Sequence, residues 1–174
     1  MARSSKETIL HDEIKVMDAL GQHSKDSVDE IAKSCGFSRQ KVSRIIKNLE
    51  KNKIIWGYAV VTDETAKNLK HFTLLVKRSK VSFAASFKKE VVFEKLDYYN
   101  SDSVKIEDIY LTHGSYDGIV TFYALDIISA KKLVQEIFNR IGKYFDDYLL
   151  LETLVPIRKQ SIKNPHLKDL VELL

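Results

Sequence analysis

Ser27 and Ser38 stand eleven residues apart, and each opens an apolar stripe at helical spacing. Ser27 is a good N-cap, and Glu30 three residues on completes a capping box. Val28, Ile31 and Ala32 then form the stripe of one short helix. Cys35-Gly36-Phe37 breaks it, with Gly36 free to take a positive φ. Ser38 caps a second helix whose buried side is Val42, Ile45, Ile46 and Leu49. Two capped helices joined by so short a turn have few ways to pack, and the pattern predicts a helix-turn-helix with Ser38–Lys51 as its second, outward-reading helix.

The residues left on the outer side of that helix are Ser38, Arg39, Gln40, Lys41, Ser43, Arg44 and Lys47. These are side-chain types that bind phosphates and base edges. From Ile31 to Lys53 there are seven basic residues against Glu50 alone, a net of +6, whereas the whole chain carries +4. A basic face on a helix is commonly only solvated. Here the excess positive charge is concentrated on the motif, as expected of a protein that binds double-stranded DNA. Ser38, Arg39, Gln40 and Ser43 near the helix N-terminus are the candidates for base and near-base contacts, and Arg44 and Lys47 for phosphate contacts.

At 174 residues and 44% hydrophobic content the chain can bury a core in one large or two small domains. Two prolines and six glycines argue against long linkers. No apolar run reaches transmembrane length, no export signal is read at Met1–Lys6, and the one cysteine, Cys35, excludes an internal disulfide framework. A cytoplasmic protein with no membrane partner is expected. Cys35 falls where the turn wants a small buried residue.

Residues 1–8 are polar and read as disordered, and Ile9–Leu20 as a first helix packing through Ile14, Val16, Met17 and Leu20, with Gly21 ending it. Ile54–Val61 is aromatic and β-branched, which predicts a strand: a wing, or a strand leading into a second domain. The helix-turn-helix domain is thus placed at 1–62 and a polar linker at 63–71. The next elements are a strand at Phe72–Lys77 and a helix over about 83–96 on Phe83, Phe87, Val91 and Glu94. A strand over Ser103–Thr112 has Val104, Ile106, Tyr110 and Thr112 on one face, and a turn follows at Gly114–Gly118. Then come a strand at Ile119–Leu125, a helix capped by Ser129 and running to Ile141, and a strand at Tyr148–Val155 stopped by Pro156. The fold class is therefore α+β: a winged-helix-like helix-turn-helix domain and, over 72–157, a βαββαβ ferredoxin-like domain. Helices on one side of such a sheet leave its other side apolar and uncovered, so dimerisation is expected. Residues 158–174 are read as a helical extension, with Pro165 in the first turn and Leu167, Leu170, Val171 and Leu174 as its stripe.

Three local patterns lie in this element order: D-E-I-A-K-S-C-G-F-S-R-Q-K-V-S-R-I-I-K-N-L-E, I-I-W-G-Y-A and H-G-S-Y-D. Together they resemble the Lrp/AsnC, or feast/famine, transcription regulators from about Ile14 to Ile157. The chain departs from that pattern after the second helix, where Asn52 and Lys53 replace the usual glycine and Asn52 is expected to take the left-handed conformation. Glu13 stands near a position where the family often has Asp, and the tail beyond Ile157 is longer than usual. The resemblance implies a homodimer or higher homo-oligomer made through the C-terminal domain. It also implies an amino-acid or other small effector near Gly114, Tyr116 and Asp117. Gly114 would allow close backbone approach, and Asp117 would accept from a ligand ammonium. The same turn also reads as an ordinary hairpin connection.

No catalytic constellation is legible. The histidines at 11, 23, 71, 113 and 166 lack metal-ligand spacing, and there is no P-loop or G-x-G-x-x-G. His113 reads as a turn residue, and Asp146-Asp147 as a solvated pair in a loop. No enzyme activity, metal or cofactor is expected. Two alternatives remain open at this stage. One is a tetrapyrrole-binding decarboxylase of similar architecture, which has no need of a basic second helix. The other is a ligand sensor whose helix-turn-helix does not bind DNA.

Overall fold

The computed structural model describes residues 6–22, 25–82 and 99–168, which form two compact units. The first comprises Met1–Val61 with Arg158–Asn164, the second Thr62–Ile157 with Pro165–Leu174.

The first unit is built on α1 (Lys6–Gln22), α2 (Val28–Cys35) and α3 (Arg39–Lys51). Helix α1 starts at Lys6 rather than Ile9 and runs through Gly21. The polar residues Lys6, Glu7 and Thr8 are compatible with a helix, and a single Gly is tolerated near a helix end. The expected capping box is present. The Ser27 backbone N–H donates to the Glu30 carboxylate at 2.7 Å, and the Glu30 N–H donates back to the Ser27 hydroxyl at 3.3 Å. Gly36 sits at φ 65, in the left-handed region that ends α2. Val16, Ile31, Ala32, Cys35, Val42, Ile45 and Leu49 make the core. Ile14 does not join it; it is an exposed residue of α1. Cys35 is buried and free, with its thiol against the Lys15 carbonyl oxygen at 3.6 Å.

Helix α3 ends in a different way from the one expected. Asn52 stays at φ −83, and Lys53 takes the left-handed conformation at φ 53. The Lys53 N–H donates to the Glu50 carbonyl at 3.0 Å and the Ile54 N–H to that of Leu49 at 2.9 Å. This is the hydrogen-bond pair of a Schellman motif, which puts the left-handed residue one position beyond the cap.

Ile54–Val61 forms no strand. Its composition is right for one, but a strand exists only where a neighbour completes its ladder, and none is supplied among the described residues. Trp56 is 94% and Val60 85% exposed, with Ile54 and Tyr58 also exposed on the same alternation. Tyr58 donates its hydroxyl to Glu50 of α3 at 3.0 Å.

Residues 158–163, expected as part of a helical extension, form a hairpin instead, β5 (Arg158–Lys159) and β6 (Ile162–Lys163). Its two-residue turn, Gln160-Ser161, has both φ values positive, 45 and 68. Beyond it, residues 165–166 make a turn and 167–168 are 3-10 helical, and the rest of the expected terminal helix lies outside the described residues.

The second unit is an antiparallel sheet in the order β2-β3-β1-β4, the arrangement expected of a ferredoxin-like βαββαβ chain. Its members are β1 (Lys70–Arg78), β2 (Val104–Leu111), β3 (Gly118–Ala124) and β4 (Phe145–Glu152). Helix α4 (Ile127–Ile141) lies between β3 and β4 in the chain; the helix expected over 83–96 lies outside the described residues. Phe72, Leu74, Val76, Phe122 and Ala124 pack with Ala130, Leu133, Val134 and Ile137 of α4. Five expectations are corrected here. The linker at 63–71 holds a turn of 3-10 helix, Glu64–Lys67, and β1 already begins at Lys70. Asp126, not Ser129, caps α4: its carboxylate accepts the Ser129 N–H at 2.7 Å. A register shift between Ile106 and Asp108 breaks the single face expected of β2, leaving Val104 buried and Tyr110 exposed. Strand β4 spans Phe145–Glu152, so it ends before Pro156. It also contains Asp146 and Asp147, which tolerate a strand whose faces are largely exposed.

Candidate nucleic-acid interface

Helix α3 is held by its apolar side, Val42, Ile45 and Leu49, and by two fixed ends. At its start the Ser38 hydroxyl accepts the Lys41 N–H at 3.3 Å. Its far side is therefore presented rigidly. Arg39, Ser43 and Lys47 form one row at four-residue spacing, and Gln40 and Arg44 a second beside it. Arg39, Gln40, Arg44 and Lys47 are exposed and Ser43 half-buried. Arg39 has its guanidinium 3.5 Å from the Asp29 carboxylate on a well-exposed surface, a contact of little energy that duplex phosphates could replace. Arg44 and Lys47 have no acidic partner among the described residues.

Lys41 is placed differently. Its ammonium lies 2.7 Å from the carboxylate of Asp12 in α1 and 3.7 Å from the centre of the Phe37 ring. It is half-buried and ties α3 to α1 across the turn. Asn48 and Lys51, both exposed, extend the two rows by one further turn each. Neither was among the residues expected from sequence. The four-residue spacing from Arg44 and Lys47 is the signal that carries them.

In the second unit Gly114, Tyr116 and Asp117 sit in the connection between β2 and β3. Asp117 is part of the fold's wiring: its carboxylate accepts the Arg78 N–H at 2.7 Å and its own N–H donates to the Val76 carbonyl at 2.9 Å. The Thr112 hydroxyl donates to the Tyr116 carbonyl at 2.7 Å. Gly114 has φ 156 and open space where a Cβ would stand, so its backbone angle, not a close approach, is what calls for glycine. The close approach is at Gly118, where a Cβ would lie 2.9 Å from Val76 Cγ2.

A polar cluster lies on the sheet face turned away from α4. His71 Nε2 is 3.0 Å from one oxygen of Glu107, and Tyr123 donates its hydroxyl to the other at 2.9 Å. Burial, and then Glu107, push the Tyr123 phenol well above its usual range. The cluster is internally paired and holds β1, β2 and β3 together. Among the described residues no group of His, Cys, Asp and Glu could hold a metal ion, and no helix is long and apolar enough to cross a membrane.

The model of the family described as TFIIE alpha subunit matches residues 6–103, more than half of the chain. No curated protein sequence matches significantly. Among solved structures, an AsnC family transcriptional regulator from Agrobacterium tumefaciens is 19% identical, with a TM-score of 0.65 over 90% of this chain and 97% of its own. A transcriptional regulator from Neisseria meningitidis in complex with L-Met is 18% identical, with a TM-score of 0.65 over 95% and 99%. The feast or famine regulatory protein from M. tuberculosis complexed with L-methionine is 14% identical, with a TM-score of 0.69 over 86% and 94%. At these identities the likeness is one of fold, and it extends over both units of the chain.

Proposed function

The chain belongs to the family described as TFIIE alpha subunit and has the fold of the Lrp/AsnC regulators, and from that premise we propose that it is a sequence-specific, double-stranded-DNA-binding transcription regulator. The observation that carries this reading is the outer side of α3. Arg39, Gln40, Ser43, Arg44 and Lys47 stand there in two rows on a helix fixed at both ends. Such a helix enters the major groove with its N-terminal residues toward base edges. Asn48 and Lys51 lengthen the contact, while Lys41 acts by holding α3 in place. Measurement of binding to duplex DNA across a salt series tests the assignment. Arg39→Ala should relax sequence preference and weaken the specific site by about 1–3 kcal/mol. Lys47→Ala should weaken all sequences alike and lower the salt slope by about one. If both variants bind as the parent does, α3 is not the reading helix.

The same premise extends to assembly and control. The sheet face away from α4 presents Leu149, Leu151 and Tyr110 exposed, and a face of that kind is suited to a second copy of the chain. Two of the similar structures contain methionine. An amino-acid effector at Gly114, Tyr116 and Asp117 is the corresponding reading here, and it would act by favouring one assembly over another. Calorimetry with methionine and the other common amino acids checks it: binding should be seen in the parent and lost in Asp117→Ala. Binding of no amino acid, or normal binding by the variant, leaves the turn a purely structural element.

A further inference from the structure

The hairpin β5–β6 comes from the far end of the sequence, yet it belongs to the compact unit that contains α3. Its six residues, Arg158 to Lys163, include three basic side chains and no acidic one; indeed no Asp or Glu occurs from Thr153 to Lys168. Up to Val61 the chain has eleven basic and eight acidic residues, a net of +3. Adding Arg158–Asn164 raises that compact unit to +6, while the rest of the chain, with fourteen basic and sixteen acidic residues, is at −2. The hairpin thus doubles the net positive charge of the unit that carries the reading helix.

Its local build suits it to gripping a polyanion. The Gln160-Ser161 turn takes both residues to positive φ, the geometry of the tight two-residue turns that match strand twist. Arg158 donates from Nη1 to the Ser161 carbonyl at 3.0 Å, which fixes its position and leaves other guanidinium N–H groups to donate outward. Arg158, Gln160, Ser161 and Lys163 are exposed. A short ribbon with a polar tip and basic flanks can follow a duplex backbone without reading sequence.

We propose that β5–β6 is a second DNA-contacting element, a basic ribbon that binds duplex phosphates beside the site read by α3. This rests on the DNA-binding reading of α3. The test is salt-dependent binding of the full chain to random duplex DNA. The variant is Arg158→Gln with Lys159→Gln and Lys163→Gln, beside a charge-preserving variant with Arg158→Lys, Lys159→Arg and Lys163→Arg. The Gln variant should lower the log–log salt slope by about two to three and weaken binding about ten- to a hundredfold near 0.1 M salt. The charge-preserving variant should restore the slope, which mere loss of the hairpin's fold would not allow. An unchanged slope in the Gln variant, with Lys47→Ala still lowering it, would overturn the ribbon and leave α3 as the reading helix. Absence of salt-dependent DNA binding in the parent chain would overturn both.

Discussion

Lys41 shows what a single residue's position in a sequence can and cannot tell. Its place among the basic residues of α3 made it a candidate for DNA contact, but helical phase turns it toward Asp12 and Phe37. Which partner lies across a turn is a tertiary fact, and no local pattern carries it. The capping residues are the opposite case, because their partners are three positions away. Glu30 illustrates the consequence. The Ser27 backbone N–H, and then its hydroxyl, hold the Glu30 carboxyl below its usual range; the Ser129 N–H does the same for Asp126 at the start of α4. A carboxylate whose folded pKa is depressed contributes stability above its unfolded value and loses it as pH falls through the folded one. Replacing both, Glu30→Gln with Asp126→Asn, keeps acceptors at the caps but removes the titration. The variant's melting temperature should therefore fall less steeply than the parent's on acidification below the ordinary carboxylate range. Parallel melting curves across that range would show that the caps do not contribute to the acid sensitivity.

At the scale of elements, α1, α2, α3, α4 and the four strands of the sheet were legible, whereas the conformations of Ile54–Val61 and of residues 158–163 were not. Stripe, cap and stop all lie within the stretch that forms α2 or α3, so α3 could be read almost to its last residue. Even there the exit was misplaced by one position. Asn tolerates the left-handed conformation better than Lys does, but the hydrogen bonds to Leu49 and Glu50 select residue 53. Ile54–Val61 has a strand's composition without a strand's partner among the described residues. The bulge in β2 reverses which side chains face the core, and alternation alone cannot reveal an inserted residue. The hairpin at 158–163 escaped notice because Gln-Ser is not a turn signal of the Asn-Gly kind, and neither residue announces a positive φ.

For the whole molecule, alternating strands and helices gave the ferredoxin-like order correctly, since the split βαβ pattern follows from element sequence and short connections. Assembly is where the exposed apolar surface leads. If a second copy covers the sheet face, the full chain should sediment as a dimer or larger at micromolar concentration. Leu149→Glu with Leu151→Glu should then shift it to monomer. A parent chain that is monomeric under those conditions would exclude that face as an interface.

The first compact unit is discontinuous, made of Met1–Val61 and Arg158–Asn164. A chain is synthesised from its N-terminus, so α1, α2 and α3 leave the ribosome long before the hairpin that completes their unit. The intervening ninety-six residues, 62–157, must be translated first. A nascent chain that lacks residues 158–164 would present α3 with half the unit's net charge. If α3 contacts DNA as proposed, its hold on the duplex would be weaker until residues 158–163 have been added.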